Sequence, residues 1–210
     1  MIVSPGRGYV FVHIPKTGGT ALALALEDRA KADDILIGDT PKALKRRHRL
    51  KSAKTVGRLW KHSKLSDIRG LLPDDTLDAL TPVTLVRNPW DRLVSYYHWL
   101  RDQTFDHQAV RVARAQDFAG FLDDPGVANS LRRNPYASYV AGQQMPIFVR
   151  LEHLETDLKP FADLLGFDLR MGRVNVSTRK ADWRGYYTAA TRARVEQVCA
   201  DDIARFGYAF

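Results

Sequence analysis

The feature that most constrains the fold is a strand, a glycine loop and a helix in direct succession near the start of the chain. Residues Gly8 to Ile14 are aromatic and β-branched, which is typical of a buried strand. The loop Pro15-Lys16-Thr17-Gly18-Gly19 follows, and residues Thr20 to Arg29 favour a helix. Because a strand followed by a loop and a helix is the first part of a β-α-β unit, the pattern predicts an α/β fold.

Further segments of the same kind extend the prediction. Residues 82–87 and 147–151 are short and rich in β-branched or aromatic residues, and each precedes a helix-prone stretch. The first of these helices has Asn88 as its predicted N-cap and runs to about Arg101. A C-terminal helix with one apolar stripe begins at Thr191. The sequence predicts one α/β domain over residues 1–210, with a central parallel β-sheet flanked by helices.

Length, cysteine content and hydropathy exclude several classes of protein. The chain has 210 residues, enough for one domain of ordinary size. Cys199 is the single cysteine, so an intramolecular disulfide and a cysteine-built metal site are excluded. No apolar run approaches the ~18 residues that a membrane span needs, and no signal region is evident. We therefore expect a cytoplasmic protein without a membrane span.

The positive charge of the chain is concentrated in one segment. The formal net charge is +8, yet Pro41 to Lys64 contain ten Lys or Arg residues and no acid, so the other 186 residues sum to −2. We call residues 41–64 the basic segment and expect it to be solvated and mobile. One interpretation is a surface that attracts an anionic substrate. A nucleic-acid-binding surface is an alternative, although Trp60 is its only aromatic residue.

The glycine loop has the composition of an anion-binding site. Two adjacent glycines let backbone N–H groups approach an anion closely, and the following helix N-terminus adds donors and a positive dipole. Lys16 adds a full charge, and the hydroxyl groups of Thr17 and Thr20 are further donors. The structural alternative is a tight strand-to-helix turn capped by Thr20. The lysine precedes Gly18 and Gly19, so the loop is not the usual nucleotide-triphosphate loop; an atypical P-loop nucleotide kinase remains open.

A second anion-binding arrangement follows the next strand. Arg87 stands at the strand tip and Ser95 two turns into the helix, so a guanidinium and a hydroxyl group are available to a phosphate. The pattern predicts a capping role at the start of the helix for Asn88, Pro89 and Asp91. It also predicts that the apolar residues of the same helix belong to the core; they are Trp90, Leu93, Val94 and Tyr97.

Two segments resemble the motifs of one enzyme family. Residues 13–20, His-Ile-Pro-Lys-Thr-Gly-Gly-Thr, look like the 5′-phosphosulfate loop of the sulfotransferases, and residues 85–97 look like their 3′-phosphate motif. The closer likeness is to the carbohydrate (Golgi-type) branch and its soluble bacterial relatives. Residues 149–154 and 206–210 add further similarity, so the resemblance covers most of the chain.

The resemblance implies a P-loop-like fold and sulfuryl transfer from 3′-phosphoadenosine-5′-phosphosulfate (PAPS), without a metal, to a hydroxyl group or, less readily, an amine. Lys16 would contact the bridging oxygen, where negative charge grows. The 5′-phosphate would bind the backbone N–H groups of the next four residues, which are Thr17, Gly18, Gly19 and Thr20. Arg87 and Ser95 would bind the 3′-phosphate.

The resemblance also suggests the remaining roles. His62 lies where carbohydrate sulfotransferases place a catalytic histidine or glutamate, which makes it the candidate base. Arg179 and Lys180 resemble the later basic loop that closes over the 3′-phosphate. The expected partners are PAPS, its product adenosine 3′,5′-bisphosphate (PAP), and a carbohydrate or small-metabolite acceptor rather than nucleic acid. Little sequence is left for acceptor-binding insertions, which disfavours a large polymeric acceptor.

Overall fold

The chain forms two compact units. The computed structural model describes residues 1–142, 145–172 and 182–210. One unit comprises residues 1–86 and the described part of 138–175, and the other comprises residues 87–137 and the described part of 176–210. We refer to them as the sheet unit and the helical unit. A single domain over residues 1–210 stays a prediction.

A five-stranded sheet forms the centre of the sheet unit. Its strands are, in chain order, β1 Ile2–Ser4, β2 Tyr9–Val12, β3 Ile35–Leu36, β4 Thr81–Val86 and β5 Ile147–Arg150. Their order across the sheet is β3-β1-β2-β4-β5. The three strands predicted from the sequence are confirmed, because β2, β4 and β5 pair in parallel.

The first strand departs from the predicted parallel arrangement. β1 runs antiparallel to both β2 and β3. A 3-10 turn over Pro5–Arg7 and a left-handed Gly8, with φ of 72°, reverse the chain between β1 and β2. β1 has three residues and β3 has two, which is too short for a periodic pattern to reveal them.

The described residues of the sheet unit form five α-helices. They are α1 Gly19–Asp28, α2 Pro41–Arg46, α3 Asp74–Asp78, α8 Leu154–Asp157 and α9 Lys159–Leu165. Short 3-10 helices occur at Arg47–Leu50, Ser66–Ile68 and Leu151–His153. The strands bury apolar side chains against helix residues such as Leu22, Leu26 and Phe161. The apolar face of the sheet is thereby covered, and the loop after β2 lies at the carboxyl ends of the parallel strands.

The helical unit packs around α4. Its helices are α4 Pro89–Arg101, α5 Gln108–Ala115, α6 Phe118–Asp123, α7 Pro125–Arg133, α10 Ala189–Val198 and α11 Ala200–Phe206. A 3-10 turn of this unit lies at Arg184–Tyr186, and the turn Tyr136–Val140 has its first two residues in this unit. The four apolar residues predicted as core in α4 are buried, which confirms that prediction. The predicted C-terminal helix is two helices, because the backbone turns at the buried Cys199.

The beginning of the basic segment is folded. Residues 41–50 form α2 and a 3-10 helix. Lys42 donates to the carbonyl of Glu27 in the last turn of α1. Arg46 and Arg49 donate through Nη1 to the carbonyls of Lys31 (2.7 Å) and Ala32 (2.6 Å). Residues 41–50 are thus anchored to the end of α1 and the loop after it, whereas the sequence predicted that the basic segment is mobile and solvated.

A buried carboxyl group in the helical unit makes stability depend on pH. Asp202, in the first turn of α11, is 5% exposed and accepts a hydrogen bond from the backbone N–H of Tyr136 (2.7 Å). Burial raises the pKa of Asp202 from 3.8 to about 6. Between these two values the folded state binds more protons than the unfolded state, so this carboxyl lowers the free energy of unfolding as pH rises.

We expect Asp202→Asn to stabilise the protein above pH 6, because the amide keeps the hydrogen-bond acceptor and carries no charge to desolvate. The melting temperature of the variant, relative to wild type, should rise between pH 4 and pH 6 and stay constant above pH 6. Thermal unfolding of both proteins in one buffer series measures this difference in melting temperature. Asp163→Asn, at an exposed position of α9 that does not contribute to the pKa shift of Asp202, is the control and should show no such rise. A pH-independent difference for Asp202→Asn would contradict the prediction.

Candidate active site

The glycine loop joins β2 to α1 through two residues of left-handed backbone. Lys16 has φ of 65° and Gly18 has φ of 87°. A positive φ is uncommon for lysine, so the loop holds Lys16 in a conformation that its side chain does not favour. Gly18 is the N-cap of α1, and no side chain caps the helix. No side chain therefore competes with an anion for the N–H groups of Gly19 and Thr20, whereas the N–H of Ala21 donates to the carbonyl of Gly18 (3.1 Å).

Neighbouring side chains leave no room for a Cβ at Gly18 or Gly19. A Cβ on Gly18 would lie 2.8 Å from Cδ1 of Leu151, and a Cβ on Gly19 would lie 2.3 Å from Cδ2 of the His13 ring. Only glycine fits at either position without a shift of the neighbour. Gly18 is half-buried and Gly19 is buried. A backbone without side chains at these two positions is what close approach of a phosphate or sulfate requires.

The two threonines of the loop differ in role. Thr17 is fully buried, and its hydroxyl donates to the carbonyl of Ile14 (2.9 Å). In the structure this hydroxyl hydrogen-bonds within the loop, and the role of Thr17 in cofactor binding stays a prediction. Thr20 is half-buried and stands inside α1. The alternative in which Thr20 caps the helix is wrong, because the cap is Gly18.

The structure brings His62 to this loop from a distant part of the chain. Nδ1 of His62 lies 2.7 Å from the carbonyl oxygen of His13, and the two imidazole rings meet edge to face at 4.7 Å. Because a carbonyl only accepts, Nδ1 carries the proton and donates it. Nε2 of His62 is then the unprotonated nitrogen, which is the form that a general base needs.

The surroundings keep both histidines neutral. Burial lowers the pKa of His62 to about 4, although the hydrogen bond to the His13 carbonyl opposes this shift and Lys61 adds to it. Burial also lowers the pKa of His13 well below its ordinary value. The ring of His13 stacks on Phe11 and packs against Gly19, so His13 supports the loop.

The segment that carries His62 is held by backbone hydrogen bonds. The hydroxyl group of the buried Ser63 donates to the carbonyl of Arg58 (2.6 Å) and accepts from the N–H of Trp60 (2.9 Å). Lys61 forms an ion pair with Asp39. These contacts keep residues 58–63 in one conformation, and His62 is therefore positioned by the fold.

In the helical unit, an acid holds the predicted phosphate-binding arginine. Nε and Nη2 of Arg87 both donate to Oδ2 of Asp91, at 2.8 and 2.6 Å. The hydroxyl of Tyr136 donates to the Arg87 carbonyl (2.6 Å). The sequence interpretation gave Asp91 a capping role and missed this pair, although the i,i+4 spacing was a signal for it. Asp91 orients the guanidinium group of Arg87.

The rest of the α4 start follows the sequence prediction. The side chain of Asn88 accepts from the N–H of Trp90 (3.1 Å), which confirms Asn88 as the N-cap. Ser95 is 5% exposed, on the buried side of α4. Arg92, its neighbour one turn earlier, places its guanidinium 5.0 Å from the centre of the Tyr136 ring. Arg87 and Ser95 stay predicted phosphate ligands.

A further arginine stands at the carboxyl edge of the sheet. Arg150 ends β5 opposite Val86 of β4, and its Nε and Nη2 donate to the carboxylate of Asp157 at 2.7 and 3.0 Å. This hydrogen bonding lowers the pKa of Asp157. The next residue, Leu151, is the one that packs on Gly18. The Arg150–Asp157 pair thus stabilises the segment that supports the glycine loop.

Other predicted features are placed as follows. Arg179 and Lys180 lie outside the described residues. Within the described ranges, no group of three or more His, Cys, Asp or Glu could hold a metal ion. No described helix is both long and apolar enough to span a membrane.

A cavity of about 440 Å³ lies beside the edge strand β3, lined in part by Arg46, Arg49 and Lys54 of the basic segment. None of the predicted site residues that the structure describes lines it.

Comparison with known proteins agrees with the motifs. The model of the sulfotransferase family matches residues 1–209. The crystal structure of mouse sulfotransferase SULT7A1 complexed with PAP is similar, with a TM-score of 0.54 and 16% sequence identity, over 94% of this chain and 84% of that chain. At this identity the likeness shows the fold, an α/β sheet with P-loop-like topology. No curated protein gives a significant match. Since the family model spans almost the whole chain, the protein belongs to the sulfotransferase family of PAPS-dependent enzymes.

Proposed function

We propose that this enzyme transfers the sulfuryl group of PAPS to a hydroxyl group of a carbohydrate or small-metabolite acceptor, with His62 as the general base. The observation that carries the proposal is the hydrogen bond between Nδ1 of His62 and the carbonyl of His13, at the start of the glycine loop. It supports a base whose Nε2 is ready to accept a proton within the same unit that presents the candidate anion-binding turn.

PAPS supplies an activated sulfuryl group whose transfer needs positioning and charge stabilisation more than covalent help. In the proposed step the acceptor oxygen forms a bond to sulfur, the bond from sulfur to the bridging oxygen breaks, and the acceptor proton passes to Nε2 of His62. Lys16 neutralises the charge that grows on the bridging oxygen, and PAP leaves. The N–H groups at the start of α1 hold the 5′-phosphate oxygens.

The low pKa of His62 keeps its imidazole in the form that can accept the proton of the acceptor hydroxyl. With a pKa of about 4, the imidazole is neutral at physiological pH and free to accept a proton. Negative charge bound at the loop favours the imidazolium and so raises the pKa of His62 in the complex. The base therefore becomes stronger when the donor is bound.

We expect Lys16→Met to lower kcat by at least ~100-fold, because a charge that stabilises the leaving oxygen is removed. PAP should still bind within severalfold of the wild-type affinity, since the backbone donors of the loop remain. Transfer of labelled sulfate gives the rate, and calorimetric titration gives the affinity. Lys45→Met, at an exposed position of the basic segment, is the control. Unchanged turnover would remove Lys16 from the mechanism.

The pH dependence of the reaction tests His62. The profile of kcat/KM for PAPS should have no acidic limb near 6.5, since the pKa of His62 in the free enzyme is about 4. The acidic limb of kcat should lie at higher pH than that of kcat/KM, because bound donor raises this pKa. His62→Gln should lower kcat by ~100-fold or more and abolish the limb. His48→Gln, on the exposed part of the basic segment, should change neither profile. A wild-type limb retained in His62→Gln would assign it to another group.

Titration with PAP tests the proposed phosphate ligand Arg87. Arg87→Gln should weaken PAP binding at least ~10-fold by removing a charge-assisted hydrogen bond, and should leave binding of adenosine 5′-phosphate, which has no 3′-phosphate, little changed. Arg101→Gln, at the exposed end of the same helix, is the control. Equal losses for both nucleotides would assign Arg87 a structural role.

The same titration discriminates the alternatives drawn from the sequence. Micromolar binding of PAP without magnesium supports the proposed donor. Binding only with magnesium favours an atypical nucleotide kinase. No PAP binding, together with salt-sensitive binding of DNA or RNA, favours a nucleic-acid-binding role for the basic segment.

A further inference from the structure

The segment before His62 presents an exposed aromatic ring next to the proposed base. Trp60 is 41% exposed. The centre of its ring lies 5.0 Å from the centre of the His62 imidazole, with the planes at 85°. Single exposed hydrophobic residues are common on protein surfaces, so exposure alone indicates little. What distinguishes Trp60 is that a large apolar surface contacts the imidazole ring of the proposed base.

The backbone of Trp60 is held by hydrogen bonds, and its ring contacts the side chains of His62 and Arg58. Its N–H donates to Oγ of the buried Ser63 (2.9 Å), and its carbonyl lies 2.9 Å from the same oxygen. A residue whose backbone is already ordered loses little backbone conformational entropy when a ligand covers its side chain. Apolar and aromatic walls with a few placed polar groups are the usual lining of a small-molecule site.

A cation accompanies the ring. The guanidinium carbon of Arg58 lies 5.2 Å from the centre of the Trp60 ring. Among the described residues, no carboxylate lies within ion-pair distance of Arg58. A guanidinium in contact with an aromatic face can still direct the N–H groups of its edge to a carboxylate or sulfate. Arg58 therefore offers a charge to an anionic ligand beside the indole.

We propose that Trp60 and Arg58 form the acceptor subsite, and that the acceptor is a ring-shaped alcohol with an anionic substituent. This inference rests on the proposed function, because it takes His62 as the base. The apolar face of the acceptor ring covers the exposed indole, the anionic group pairs with Arg58, and one ring hydroxyl reaches Nε2 of His62. A sugar acid and a phenolic acid share this chemistry, so the test includes both.

The test measures acceptor binding to enzyme saturated with PAP, by saturation-transfer NMR and competition. The probes are two matched pairs, methyl β-glucuronide with methyl β-glucoside, and 4-hydroxyphenylacetate with its amide. In wild type, the anionic member of at least one pair should bind fivefold or more tightly than the neutral member. The pair that shows the preference identifies the ring as a sugar or a phenol.

Three variants separate the contributions of the two residues. Arg58→Gln should abolish the preference for the anionic member and leave binding of the neutral member unchanged. Trp60→Ala should weaken both members fivefold or more, and Trp60→Phe should restore most of that loss because it keeps an aromatic ring. Arg47→Gln, an exposed arginine of the same basic segment, is the matched control and should keep the preference.

The outcomes distinguish this inference from the proposed function. Titration of PAP into the same samples reports donor binding independently. Retained PAP binding without any anionic preference, or with a preference that survives Arg58→Gln, would overturn the subsite and leave the donor site intact. Absence of PAP binding in the wild type would overturn the proposed function itself.

Discussion

The absence of two side chains, at Gly18 and Gly19, is the constraint on which the site region of the sheet unit depends. Leu151 and the His13 ring occupy the space that a Cβ at these positions would need. The turn can therefore lie against the segments that follow β5 and β2. A side chain at either glycine would force the turn, or the neighbouring side chain, to shift at the carboxyl ends of the parallel strands, where an anion can meet a helix N-terminus.

The same packing links the loop to the candidate base. His13 supports Gly19 through its ring and accepts from His62 through its carbonyl, so one residue connects the anion-binding turn with a segment 49 residues away. Burial keeps both imidazoles neutral. A base that is neutral and weak in the free enzyme, and strengthened by the negative charge of the donor, couples proton acceptance to donor binding.

The sequence allowed much of the fold to be predicted, for identifiable reasons. The strands β2, β4 and β5 and the helix that begins after Asn88 have strong local signals: a β-branched run, an N-cap and a proline at the first helical position. β1 and β3 are too short to show a local sequence signal of this kind. The break at Cys199 was hidden because the apolar stripe continues through it. In the site, the hydrogen-bond partners of Thr17 and Asp91 were not predicted, since composition does not reveal them.

The sequence by itself determined the family, the glycine loop and the candidate ligands Lys16, Arg87 and Ser95. It could do so because the groups that bind an anion belong to residues close together in short sequence motifs. It also located the excess positive charge in residues 41–64. Only the tertiary structure decided that His62 meets the loop with Nδ1 protonated, that Trp60 and Arg58 stand beside it, and that Arg46 and Arg49 are anchored on carbonyl groups. The physical reason is that protonation state, tautomer and exposure are set by neighbours distant in sequence, and folding brings those neighbours together.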